Sequence, residues 1–215
     1  MFKKKPYLIV FEGVEGCGKS YQSKKLFNNL RKSGFDALIT REPGGTKSAE
    51  LIRKLILQDY FTKNKSEKFD KYTDTLLYLA ARNEHIKYKI YPALKKKKII
   101  VCDRYIDSTY AYQVYGKKVD KKFIDFIHKK IIKGAKPNLT IILKVSHSSS
   151  RQRLKKRKTK NRYDKFPKSF YTKAQNSFLK IAKNKKNYFI FDSSKNNTFL
   201  EKKILSIVLK KIKYD

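Results

Sequence analysis

Residues Gly13, Val14, Glu15, Gly16, Cys17, Gly18, Lys19 and Ser20 run in the order of a phosphate-binding loop. The chemistry needs these types at this spacing. Glycines let backbone N–H groups turn inward where a Cβ would obstruct them. The lysine ammonium reaches β- and γ-phosphates, and the serine hydroxyl can ligate Mg²⁺. The loop stands between a short apolar run, Tyr7–Phe11, and a segment able to be helical from Lys19 to Lys32. A strand thus delivers the chain to the loop, and a helix presents its positive N-terminal end to an anion. The pattern in that setting implies a bound nucleoside triphosphate with Mg²⁺.

Two more groups follow apolar runs. Arg41-Glu42-Pro43-Gly44-Gly45-Thr46 comes after Ala37–Thr40, where a Pro-Gly-Gly turn would hold Arg41 beside the loop; alone, this is an ordinary turn. Asp103-Arg104-Tyr105 comes after Ile99–Cys102. An Asp there can hold Mg²⁺ or its water, or instead cap the next segment; Arg104 suits bidentate phosphate capture.

The elements that must position these groups alternate. Strands are expected at Tyr7–Phe11, Ala37–Thr40, Ile99–Cys102, Leu139–Leu143 and Tyr188–Phe191. Helices are expected from Lys19, over Ser48–Gln58, over Thr73 to about Lys95 with a kink or late break at Pro92, from near Ser108, and over Val119–Ile132, Lys168–Lys183 and Phe199–Ile212. Thr62–Lys71 reads as a polar loop, and residues 151–168 as a basic lid. The alternation predicts an α/β fold: a doubly wound, five-stranded parallel sheet flanked by helices, within one domain spanning residues 1–215.

Composition narrows the class. Lys and Arg number 54 against 18 Asp and Glu, for a net charge of +36. Such a balance suggests nucleic-acid binding. It also fits compositional drift, since Lys, Ile, Asn, Tyr and Phe are abundant and the lysines are spread over the whole chain. Under either reading, weak non-specific nucleic-acid binding is expected rather than a specific nucleic-acid partner. Apolar runs of five or six residues are far short of a membrane span, so no membrane partner is expected. The basic start, with Glu12 closing a short apolar stretch, argues against secretion. Two cysteines make no disulfide framework, and a cytoplasmic setting is expected.

Three motifs together resemble the bacterial kind of thymidylate kinase: G-V-E-G-C-G-K-S (13–20), T-R-E-P-G-G-T (40–46) and D-R-Y-I-D-S-T-Y-A-Y-Q (103–113). Leu76 to Arg82, Tyr91-Pro92-Ala93-Leu94, Lys136 to Thr140 and the basic lid extend the likeness over nearly the whole chain. The resemblance implies phosphoryl transfer from ATP, with Mg²⁺, to dTMP, and a homodimer. It implies that the loop Gly13–Ser20, Asp192 and Ser193 hold ATP and that Ser20 and Asp103 serve the metal. Tyr78 would stack on the base and Arg82 hydrogen-bond it. Thr109 would contact the pyrimidine edge, with Ser108 and Gln113 of the same motif joining the substrate set. Tyr112 would crowd the sugar's 2′ position and Glu15 would read the 3′-hydroxyl. Arg41 and Arg104 would grip the acceptor phosphate. Lys19, Arg104, Arg157 and Arg162 would be catalytic. Plain core packing is the other reading of Tyr78, and a solvated helix face that of Arg53, the further candidate for the acceptor phosphate. Asn161, Asp164, Lys144 and Asn138 depart from the family's usual residues.

A phosphate acceptor is largely ionised at neutral pH, its second pKa being about 6, so no general base is required. His85, His128 and His147 are scattered along the chain and read as structural. Three rivals are a kinase for another deoxynucleotide, a GTPase switch suggested by Asn64-Lys65-Ser66-Glu67, and an ATP-dependent nucleic-acid protein.

Overall fold

The computed structural model describes residues 5–57, 68–157, 162–165, 167–195 and 197–214. The Asn64–Glu67 motif, residues 62–67 of the expected polar loop, and residues 158–161 and 166 of the expected lid lie outside them. In chain order the elements are β1 (Tyr7–Glu12), α1 (Lys19–Lys32), β2 (Ala37–Arg41), α2 (Lys47–Leu57), α3 (Lys71–His85), α4 (Tyr91–Lys95), β3 (Ile99–Asp103), α5 (Ile106–Thr109), α6 (Lys121–Ile131), β4 (Leu139–Lys144), α7 (His147–Lys155), α8 (Lys168–Ala182), β5 (Tyr188–Asp192) and α9 (Thr198–Tyr214).

The five strands form one sheet in the order β2-β3-β1-β4-β5, every pair parallel. The expected five-stranded parallel α/β sheet is therefore present. Side chains alternate across it, as the strand period of two requires. Tyr7, Ile9 and Phe11 enter one core with Val101, Ile141 and Phe178, while Leu8 and Val10 enter the other with Ile86, Ile90 and Tyr105. A central strand buried on both faces reads as a continuous apolar run, and β1 is buried at every position.

Register positions the site. Phe11 and Arg41 both stand opposite Asp103, so the carboxyl ends of β1, β2 and β3 finish level. The chain leaves β1 first towards β3 and β2 and only later fills β4 and β5. The crevice beyond β1 is thus the reversal point where open α/β sheets bind ligands.

Three local expectations change. The long helix begins at Lys71 and widens into a π turn at Ile86–Ile90, where the Tyr91 N–H bonds the Ile86 carbonyl. Pro92 lacks the N–H that α geometry needs, and one wider turn accommodates the loss without ending the run. The helix expected near Ser108 starts at Ile106 and continues as a second π turn, Tyr110–Val114. The basic stretch opens as a helix, α7, whose Ser146 cap accepts from the Ser149 N–H. That helix buries only Ser150 and Leu154, too thin an apolar stripe to announce itself.

Candidate active site

The phosphate loop is built by close approach. A Cβ on Gly13 would sit 2.5 Å from the Leu143 carbonyl of β4. Gly18, left-handed at φ 93°, starts α1 with no side-chain cap, leaving the first-turn N–H groups to an anion. The loop is braced from outside. Ser150 Oγ donates to the Glu15 carbonyl at 2.8 Å, Arg153 to that of Gly16 at 3.0 Å, and Ser193 Oγ to that of Cys17 at 2.7 Å. Lys19 is buried and donates to the Val14 carbonyl at 2.8 Å. Val14 and Cys17 are buried beneath the loop.

Ser20 Oγ donates to Asp103 Oδ2 at 2.5 Å, while Asp103 Oδ1 is buried and has no hydrogen-bond partner. Asp103 does not cap the next helix, whose cap position is Tyr105. An unpaired carboxylate oxygen beside a hydroxyl fits Mg²⁺, which takes one or two carboxylates and completes its shell with phosphates and water. Among the described residues no group of three or more His, Cys, Asp or Glu could hold a metal by itself.

Arg104 has a left-handed backbone at φ 70°, which costs a side-chain-bearing residue about 1 kcal/mol or more. Buried Glu12 offsets that cost. It accepts from the Tyr105 N–H at 2.8 Å, the Ser108 N–H at 3.1 Å and Ser108 Oγ at 2.6 Å, pinning the turn to the end of β1. Burial, with Asp107 beside it, pushes the Glu12 carboxyl up to about 7. The Arg104 guanidinium donates to the Gly13 carbonyl at 2.9 Å, Ser108 Oγ at 3.2 Å and Glu15 Oε1 at 2.7 Å. Glu15 Oε2 accepts from Tyr112 Oη at 2.7 Å. Arg41 is exposed and paired with Glu50 at 3.0 Å. Arg53 is half-buried and donates to the Pro43 carbonyl at 2.6 Å, so it faces the cavity rather than solvent alone.

These groups share one cavity of about 500 Å³ with Tyr78, Arg82, Ser108, Thr109, Tyr112 and Gln113. Tyr78 is half-buried and donates to Tyr163 Oη at 2.7 Å. Burial, with Tyr163 next to it, pushes the Tyr78 hydroxyl well above its ordinary range. Tyr78 thus packs on the core and also lines the cavity. The amide Nε2 of Gln113 is buried there without a partner, a donor that an acceptor on a bound molecule would satisfy. Arg82, 3% exposed, donates to Glu42 Oε2 and Thr109 Oγ1 at 2.7 Å and to the Tyr105 carbonyl and His128 Nε2 at 2.8 Å.

A thymidylate kinase family model matches residues 11–204. The chain is 36% identical to a thymidylate kinase of Mycoplasma capricolum over 95% of each chain, and 41% identical to one of a Geobacillus species over 80% of each. A thymidylate kinase crystal structure from Ehrlichia chaffeensis superposes with a TM-score of 0.72 at 30% identity, covering 95% of this chain and 99% of that one. The chain belongs to the thymidylate kinase family. Membership makes it a nucleoside monophosphate kinase that phosphorylates dTMP to dTDP.

Within this thymidylate kinase family member the expected residues divide. Arg157 lines the cavity and pairs with Asp164 at 3.2 Å. Arg162 instead pairs with Asp74, a fully buried acid that Lys117 also holds at 2.6 Å, and is not on the cavity wall. Asp192 and Ser193 do not line the cavity; Asp192 accepts from the Ser194 N–H at 2.8 Å, and Ser193 braces the loop from behind. Sequence singles out neither Arg153 nor the meeting of His85 with His128. Arg153 lines the cavity and ties the phosphate loop to the carbonyls of Ser193 and Ser194 at 2.8 and 2.7 Å; its place four residues before Arg157 was the available signal. His85 and His128, read as scattered, meet at the Glu42–Arg82 pair, with His85 Nδ1 2.9 Å from Glu42 Oε1. Burial, then Arg82, lowers His128 to about 3. No spacing in the sequence announces that convergence. His147 lies apart, edge-on to Tyr171.

Proposed function

We propose that ATP is the phosphoryl donor, that Mg²⁺ is the cofactor, and that the two nucleotides meet over the carboxyl edge of β1. The observation that carries this reading is one cavity whose wall holds both the phosphate loop, with Lys19 and Ser20, and an arginine set, Arg41, Arg53 and Arg104. The loop N–H groups and Lys19 bind the ATP phosphates. Arg104, with Arg41 and Arg53, orients the dTMP phosphate for in-line attack. An ionised acceptor oxygen bonds to the γ-phosphorus, the bond to the bridging oxygen breaks, and ADP leaves with the electron pair. No proton transfer is needed. Mg²⁺, held through Ser20 and Asp103, would neutralise charge on the donor phosphates. Arg157 stabilises the transferring group, as cationic fingers do elsewhere. Arg162, paired with Asp74 in this structure, would join it; Asp192 and Ser193 shape the adenine side. Tyr78 stacks on the thymine, Thr109 and Gln113 contact its edge, Ser108 supports Arg104, and Tyr112 and Glu15 read the deoxyribose.

The same reading takes residues 1–215 as a single domain acting in the cytoplasm as a homodimer. Leu51 and Leu55 on α2 and Leu76 on α3 are 63%, 43% and 48% exposed on two helices that pack together, an apolar face suited to a second copy. Among the described residues, no helix is long and apolar enough to cross a membrane.

A coupled assay for ADP release at moderate salt tests the proposal. The expected order of kcat/KM is dTMP above dUMP, with dCMP, dGMP and dAMP at background. ADP release that ignores dTMP, or that persists in excess EDTA, refutes it.

A further inference from the structure

The Arg82 guanidinium carries five N–H donors and no acceptor. Four are taken: Nε by Glu42, both hydrogens of Nη1 by Thr109 and His128, and one of Nη2 by the Tyr105 carbonyl. One Nη2 hydrogen remains, on a side chain that lines the substrate cavity. The group cannot rotate without breaking several buried bonds at once. Arginine cannot accept, so His128 Nε2 must carry the lone pair and Nδ1 the proton. That proton faces Tyr110 Oη at 3.4 Å, whose own hydrogen goes to Asp125 at 2.7 Å. On the other side His85 fills the second oxygen of Glu42 and meets Thr40 Oγ1 at 2.7 Å. His128 is 5% exposed and off the cavity wall, so it reaches a substrate only through Arg82.

We propose that His128 is a positioning residue that, opposite Glu42, fixes Arg82 as a single-donor reader of the base. The inference rests on the functional reading above. A locked guanidinium with one N–H to offer pairs with a ring carbonyl, as on thymine or uracil. It meets the amino group of cytosine donor to donor. Without His128 the guanidinium keeps a buried, unpaired Nη1 hydrogen and only three of its four anchors, so its free N–H is held less firmly towards the base and the discrimination weakens.

The test compares His128→Phe, which keeps a ring but no acceptor, with His128→Gln, which restores an acceptor. Steady-state kinetics are run with dTMP, dCMP and ATP. In His128→Phe the KM for dTMP is expected to rise about tenfold, the loss typical of one hydrogen bond from a charged donor to the base. Its kcat and KM for ATP stay within about twofold, and the dTMP-to-dCMP preference falls with the affinity. His128→Gln recovers most of the dTMP affinity. Wild-type behaviour of His128→Phe overturns the proposal, as does an equal rise in both KM values or a Gln variant no better than Phe. Should His128→Phe melt below the assay temperature, Tyr110→Phe gives the same test. It leaves the imidazole in place and removes the partner of its Nδ1 proton. A rise of about threefold in KM for dTMP alone is then expected, and no rise overturns the proposal. A wild-type enzyme that releases no ADP in response to dTMP overturns the functional reading and this inference with it; an active wild type beside an unaltered His128→Phe overturns only the role of His128.

Discussion

Replacing Glu12 by Gln should change how stability depends on pH. Three donors favour the Glu12 carboxylate, while full burial and the Asp107 carboxyl favour its protonated form. Burial wins, and the carboxyl is raised from 4.5 to about 7. The unfolded chain releases this proton near the lower value. Between the two values the folded state holds a proton that the unfolded state has lost, so stability falls as pH rises through that window and stays reduced above it. At about 1.4 kcal/mol per pH unit, the whole excursion amounts to roughly 3 kcal/mol, shared with Asp107 because the pair titrates together. Glu12→Gln has no proton to lose. Its amide oxygen can take the Tyr105 and Ser108 N–H groups while its NH₂ faces Ser108 Oγ, so the turn carrying Arg104 should persist. Urea unfolding of both proteins at pH 5 to 8 in constant salt reads the difference, groups other than Asp107 cancelling between them. The variant should gain on the wild type by about 2–3 kcal/mol across that range. A flat difference, or a wild type that gains on the variant with rising pH, would mean that the three hydrogen bonds outweigh burial, and the reasoning fails.

Two other changes test the phosphate machinery. Arg104→Ala removes the group held by Gly13, Ser108 and Glu15; phosphoryl transfer should drop by about 10³ or more while calorimetry still detects ATP binding, and near-normal turnover would end its catalytic role. Asp103→Asn leaves a partner for Ser20 but removes the charge beside the unpaired Oδ1. The Mg²⁺ concentration for half-maximal rate should rise by roughly tenfold or more, and an unchanged titration would place the metal elsewhere.

The parts of the fold legible in the sequence were those where one local rule suffices. Strand β1 is apolar throughout because both of its faces are buried, and a continuous run needs no partner to be recognised. The Gly13–Ser20 loop announces itself because close backbone approach admits only certain residues in order. Helix α7 went unread because its surface is nearly all polar and it is held chiefly by Ser150 and Arg153 reaching back to the phosphate loop. The π turn before Pro92 was half legible: a missing N–H can be read, but a kink and a widened turn both answer it.

Sequence alone determined which atoms of this chain could meet phosphate or its metal, since Lys19, Ser20, Asp103 and Arg104 lie in motifs whose chemistry is local and whose strands end at one edge. Tertiary structure alone decided what surrounds them. Glu42, the Arg82–His85 pair and His128 stand far apart in the chain and close into one network only when α3 brings Arg82 and His85 to Glu42 after β2 and α6 brings His128 to Arg82. Pairings of that kind depend on which side chains the folded core leaves in need of a partner, and a buried donor's demand for an acceptor leaves no periodic mark along the chain.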